Sequence, residues 1–167
     1  MVKDALSGTV EFVKVAMQPG MPQGAGRFGH DDGDTVGTDD GVGTPIVTLP
    51  GNPVSALVSF EVFVRPALRA AMGLPNPDRP RRTAVLAEDL TSPRGKRQFR
   101  RGVLSEVSTT DETPTPDEGS TTDTVTSYGP PASHHLRWLA SANCLLELDE
   151  DTAEMAAGQR VQVWDLR

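Results

Sequence analysis

Cysteine is almost absent from this chain of 167 residues: the single thiol, Cys144, excludes an intrachain disulfide and any zinc site built on a cysteine cluster. Flanked by Leu145 and Leu146 on a strand-like run, it reads as a buried core thiol rather than a nucleophile. Aromatic residues make up only 5% of the chain, and no Lys/Arg stripe has aromatics interleaved with it, which argues against a nucleic-acid surface. No apolar run approaches the ~18–20 residues of a membrane span, and the N-terminus has no signal-peptide core. The expected location is therefore the cytoplasm, with no membrane partner. Neither Gly-x-Gly-x-x-Gly nor a P-loop occurs, which counts against the common dinucleotide and nucleotide cradles. Two of the three histidines, His134 and His135, are adjacent and would diverge by ~100° on a helix, so they make a poor metal pair.

Basic residues are missing from two long stretches. Residues 29–43 hold Asp31, Asp32, Asp34, Asp39 and Asp40 and no Lys or Arg. Residues 105–124 hold Glu106, Asp111, Glu112, Asp117, Glu118 and Asp123, again without a cation. The net charge of −7 thus lives in two loops, and the remaining body is mildly basic. That distribution suits a small anionic substrate better than a nucleic acid. Both stretches are rich in Gly, Ser, Thr and acids, and read as a mobile loop and a disordered hairpin insertion.

What is present falls into two textures. Residues 2–8 look like the tail of a helix ended by Gly8, and residues 9–17 alternate as a strand, with Val10, Phe12 and Lys14 on one side. Gln18-Pro19-Gly20-Met21-Pro22 is a rigid turn. Residues 23–28 form a short strand in which Gly24 and Gly26 permit a close approach. An apolar-periodic helix runs from Pro53 to Met72, with Glu61, Arg65 and Arg69 on its outer face and Gly73 as its stop. Pro66 predicts a kink or break near residue 65. Residues 74–80, with three prolines, are an extended linker. Beyond it come short strands at 83–90, 97–104, 124–128, 144–148 and 160–166, the pattern of a small all-β unit. The expected division is 1–74, a linker at 75–82, and 83–167.

The most informative segment is Leu49-Pro50-Gly51-Asn52-Pro53-Val54-Ser55-Ala56, placed between a short apolar strand and the long helix. Asn52 is a good N-cap, and Pro53 fits the first helical position, where no N–H is needed. The first-turn N–H groups suit an oxyanion, although a strand–Gly–helix turn is also a common plain connection. Both readings stay open on this evidence.

Taken with Val15-Ala16-Met17-Gln18-Pro19-Gly20-Met21-Pro22, Phe99-Arg100-Arg101-Gly102 and Ser133-His134, this segment resembles the molybdopterin molybdenumtransferase family, which includes MoeA and the gephyrin E domain. The resemblance implies an α/β plus all-β architecture: the back half of a MogA-like molybdopterin-binding α/β domain followed by a small C-terminal β-barrel-like domain. The family's Gly-Gly-x-Ser turn and its neighbouring acid would precede Val2, so the chain reads as a C-terminal portion that is inactive alone. The implied chemistry is molybdenum insertion into adenylylated molybdopterin, with molybdate and molybdopterin as substrates, Mg2+ as cofactor, and a homodimer at full length. The competing reading is a non-catalytic binding or scaffold module that docks a full-length partner.

The resemblance also assigns residues. Lys14 and Ser55 become candidate catalytic residues; Pro50, Gly51, Asn52, Pro53, Arg101 and Ser133 become candidate ligands for molybdate or molybdopterin. Lys14 is either substrate-facing or a solvated edge position, since burying an unpaired ammonium is costly. Ser55 either donates to an oxyanion or only caps backbone. Arg101 belongs to a run with Arg94, Lys96, Arg97 and Arg100, which is either a protected strand edge or a planar fork for oxyanions. Gln18 and Met21 stand where many relatives carry lysines, which weakens the anion site. The metal ligands are unassigned; Asp4 and Glu11 are poor candidates.

Overall fold

The computed structural model describes residues 10–28, 44–106, 123–129 and 140–167. The expectations for residues 2–8, for both acidic loops apart from the ends of the second, and for Ser133, His134 and His135 fall outside these residues.

The first part is a three-stranded antiparallel sheet with one long helix. Strands β1 (Val10–Lys14), β3 (Pro22–Phe28) and β4 (Thr44–Thr48) lie in the order β1-β3-β4. Gly24 has the close neighbours its position requires: a Cβ there would come within 2.5 Å of Thr48 Oγ1 and 2.9 Å of the Phe12 ring. Between β1 and β3 the chain makes a two-residue strand, β2 (Met17–Gln18), and turns at a cis Gln18–Pro19 bond and at Gly20, whose φ is 96°. Gln23 Nε2 donates to Gly20 O and to Ser59 Oγ, tying this turn to the helix.

The helix begins as α1 (Pro53–Ser59), capped by Asn52, whose Oδ1 accepts from Val54 N at 3.1 Å and Ser55 N at 3.5 Å. It then widens into a π-helical turn, Phe60–Val64, and continues as α2 (Arg65–Ala71). The kink or break expected near residue 65 takes the form of this widened turn, after which the helix runs on through Pro66. The widened turn lets the Arg65 N–H reach back to Phe60 O and accommodates a proline that has no N–H of its own and would crowd the preceding turn. The helix stops at Gly73, φ 66°, as expected.

Glu61 departs from its expected outer-face position and is buried. Its carboxylate accepts from Arg79 Nε at 2.8 Å and Arg79 Nη2 at 3.0 Å, with Arg65 Nε 3.7 Å away. Arg79 also donates to Leu166 O at 3.2 Å. Residues 75–77 are held by the helix itself: Arg65 donates to Pro77 O, and Arg69 donates to Pro75 O and Asn76 O. The linker is thus clamped between helix and C-terminus, a stiffness beyond what its prolines supply.

The second part is a closed barrel. Strands β5 (Arg81–Leu86), β7 (Arg97–Ser105), β8 (Thr124–Ser127), β9 (Cys144–Leu148) and β11 (Arg160–Asp165) run in the order β7-β8-β5-β11-β9, and β9 pairs back to β7. All pairs are antiparallel except β5–β8. A short clip of β6 (Leu90–Thr91) with β10 (Glu154–Met155) escaped sequence reasoning, because two-residue strands carry no period. Leu86, Leu104, Val125, Cys144, Leu146, Leu148 and Val163 fill the interior. Gly102 is dictated by this packing: an added Cβ would overlap Leu146 Cδ1 and come within 3.0 Å of Cys144 Sγ.

A second cluster joins the two parts. Met17 and Val58 pack with Phe99, Leu145 and Trp164 on the outside of the barrel, and the Phe99 and Trp164 rings meet edge-on at 5.4 Å. β2 adds in parallel to the start of β7, with Met17 opposite Arg97 and Gln18 opposite Gln98. This pairing is what brings the cis-proline turn to the barrel wall.

Candidate functional site

The seam between helix, turn and barrel forms a small pocket. One wall is Gln18 and Pro19, a second is Val54 in the first turn of α1, and the third is β7 from Gln98 to Arg101, with Ser127 and Gly129 at the rim. The free volume is ≈ 20 Å³, room for about one water or one oxygen of an oxyanion.

Arg101 is one of two arginines on the pocket wall, with Arg100. It is 5% exposed, and loss of water around its guanidinium lowers its pKa from the ordinary value, although an arginine stays cationic throughout the working range. A desolvated cation attracts an anion more strongly than a surface one does. Arg100 is committed elsewhere: its Nε donates to Gln98 Oε1 at 2.6 Å and its Nη2 to Thr91 O. Arg97 pairs with Glu147 at 3.3 Å and Glu150 at 3.2 Å. The strand-edge reading does not hold for β7, which lies within the barrel and pairs with β2, β8 and β9.

The other candidate site residues that the structure describes do not line this pocket. Val54 lines the pocket, whereas Ser55, also in the first turn of α1 and buried, does not. Asn52 is occupied in capping. Pro50 is half-buried, while Gly51 and Pro53 are exposed, and a Cβ on Gly51 would meet nothing within 4 Å. Lys14 is exposed at the end of β1, opposite Pro22, and does not line this pocket. Met21 is exposed beside the turn. Cys144 is fully buried, and burial pushes its thiol up to about 12, which fits the core-thiol reading.

Sequence reasoning missed Gln98 and Ser127 as wall residues. Gln98 is buried and sits beside Gln18 only because β2 and β7 run parallel, a pairing across 80 residues with no local signature. Among the described residues, no group of three His, Cys, Asp or Glu side chains could hold a metal ion, and Glu11 lies exposed on β1. Among the same residues, no helix is long and apolar enough to cross a membrane.

Comparison with known proteins bears on this geometry. Residues 83–166 match the model of the MoeA C-terminal region (domain IV), and residues 2–70 match that of a probable molybdopterin binding domain. The chain is 59% identical over 174 aligned residues to molybdopterin molybdenumtransferase 2 of Mycobacterium tuberculosis, covering 99% of this chain and 36% of the relative. It is 37% identical to molybdopterin molybdenumtransferase 1 of the same organism, covering 97% and 34%. It spans about a third of the length of these relatives. Its fold is shared with a molybdopterin biosynthesis moeA protein from Pyrococcus horikoshii, at a TM-score of 0.65 and 21% identity over 95% of this chain and 33% of the other. A molybdenum cofactor biosynthesis protein from Pyrococcus furiosus aligns at a TM-score of 0.61 and 22% identity, over 92% and 44%. With the barrel of residues 83–166 and the α/β segment before it both matched, the chain belongs to the MoeA family of molybdopterin molybdenumtransferases.

Proposed function

We propose that this chain forms part of a molybdenumtransferase of molybdenum cofactor biosynthesis. The reaction joins molybdate to the dithiolene of adenylylated molybdopterin and releases AMP. One observation carries the reading: three motifs far apart in sequence, at Gln18–Pro19, Val54 and Arg101, meet around one pocket. An oxygen of molybdate or phosphate fits where the pocket has room for about one water, with Arg101 supplying the charge. Pro50, Gly51, Asn52 and Pro53 border the head of α1 beside it, and Ser55 supplies a buried hydroxyl in the first turn. Lys14 acts from the exposed end of β1 on the part of the substrate outside the pocket, and the resemblance names Ser133 as a further oxyanion donor. The division into 1–74, linker and 83–167 fits a substrate held between an α/β part and a barrel. The magnesium that the resemblance implies finds no ligand set among the described residues, and no step is assigned to it.

The isolated chain has no turnover on this reading; adding the family's upstream segment restores it, in a cytoplasmic homodimer. Arg101→Ala in that longer protein then lowers molybdenum insertion about ten- to a hundredfold, since a charge-assisted contact is worth roughly 1.5–3 kcal/mol. If Arg101→Ala leaves insertion unchanged while substitution of Lys14 abolishes it, the arginine is only structural. The second reading, a non-catalytic module docking a full-length partner, draws support from Gln18 and Met21, which place no charge at the turn. Binding of molybdopterin without turnover in the longer protein would favour it.

A further inference from the structure

The Gln18–Pro19 wall of the pocket is held from two sides. On the barrel side β2 pairs with β7, Gln18 opposite Gln98. On the helix side the turn rests on Ser59, the last residue of α1, which is fully buried. A Cβ on Gly20 would come within 2.8 Å of Ser59 Oγ, so the turn has no room to move closer to the helix. Gln23 keeps it from moving away: its Nε2 donates to Gly20 O and, at 2.6 Å, to Ser59 Oγ. A carbonyl can only accept, which fixes the amide with Nε2 towards the turn. Neither Gln23 nor Ser59 lines the pocket, but Gly20 follows Pro19 directly, so any slack in this tie reaches the wall through one peptide unit.

We propose that Gln23 and Ser59 are positioning residues: by fixing the turn against the helix they set the width of the pocket and decide which tetrahedral oxyanion it admits. The inference rests on the reading of this pocket as an oxyanion site. Its free volume of ≈ 20 Å³ takes about one oxygen, so a small displacement of the wall spoils the match. Binding groups have to be held to about 0.5 Å, and hydrogen bonds behind the groups that meet the ligand are what hold them. Molybdate and sulfate have the same charge and the same tetrahedral shape, and differ in size because the metal–oxygen bonds are longer. The charge of Arg101 attracts both alike, which leaves discrimination to the position of the wall.

The test is calorimetric titration of this chain with sodium molybdate and with sodium sulfate at low ionic strength. The proteins compared are the wild type, Gln23→Leu, Ser59→Ala, the double variant and Arg101→Ala. The wild type should bind molybdate more tightly than sulfate. Gln23→Leu should lower molybdate affinity about tenfold and bring the ratio of the two affinities towards one. Ser59→Ala should do the same, and the double variant should be no worse than either single change, because both cut one tie. A variant that merely loosens the fold lowers both affinities together; an unchanged ratio in Gln23→Leu therefore overturns the proposal. Gln23 is half-buried, so Gln23→Leu carries the test if Ser59→Ala does not fold. If the wild type binds neither anion, or Arg101→Ala binds both as tightly as the wild type, the oxyanion reading itself falls and the proposal with it.

Discussion

Replacing Arg79 by alanine removes the main partner of a buried carboxylate, and the structure sets the cost. Glu61 is 4% exposed and takes two hydrogen bonds from Arg79, at 2.8 and 3.0 Å. After the change only Arg65 remains near it, with Nε at 3.7 Å, beyond hydrogen-bonding range. Removing one partner of a buried pair costs about 3–5 kcal/mol. The Arg79 side chain is 19% exposed and Arg65 stays nearby, so the lower end, about 3 kcal/mol, is expected. With a urea m-value of about 2 kcal/mol/M, that moves the unfolding midpoint down by about 1.5 M. The paired replacement Glu61→Leu with Arg79→Leu removes both charges together and should cost far less than Arg79→Ala alone. A double-mutant cycle of Glu61→Ala and Arg79→Ala should return a coupling of about 2–3 kcal/mol. A loss below about 1 kcal/mol for Arg79→Ala, or additive single changes, would refute the claim that this pair clamps the helix to the barrel.

Three further outcomes can be measured on the same chain. Gly102→Ala should destabilise it by about 1–3 kcal/mol in a thermal or urea melt, because the new methyl group overlaps Leu146 inside the barrel; an unchanged melt would mean the barrel wall yields freely. Cys144, its thiol raised to about 12 by burial, should resist iodoacetamide at pH 8 in the native state and react on unfolding; rapid labelling of folded protein would contradict the burial. Asp165 is held down to about 2, chiefly by its hydrogen bond from Arg167. Its folded pKa lies below the unfolded value of about 4, so its stabilisation is complete above that value and is lost as pH falls towards 2. Asp165→Asn should flatten that part of the stability–pH curve, and an unchanged curve would assign the acid sensitivity to other groups.

Local chemistry explains which elements were legible. The Asn52 cap, Pro53 in the first turn and the Gly73 stop delimit the helix, because each acts on backbone groups within a few residues. The barrel strands appeared as short runs between turn residues, and 144–148 coincides with β9. Glu61 was misplaced because helical periodicity assigns a carboxylate to solvent, whereas the partner that buries it, Arg79, is 18 residues on. Pro66 located an irregularity near residue 65 but not its form, a π-helical turn over Phe60–Val64.

From the sequence alone follow the two-part architecture, the basic body with acidic stretches, the inert thiol and the family resemblance on which the site residues rest. All of these depend on composition or on neighbours close along the chain. Tertiary structure alone decided the barrel's closure through β9 and β7, the Gln18–Gln98 juxtaposition, and the pocket wall that includes Arg101 but not Lys14. Those are set by pairings between residues many tens of positions apart. Their free energy comes from joint burial and shared hydrogen bonds, which a linear pattern does not record.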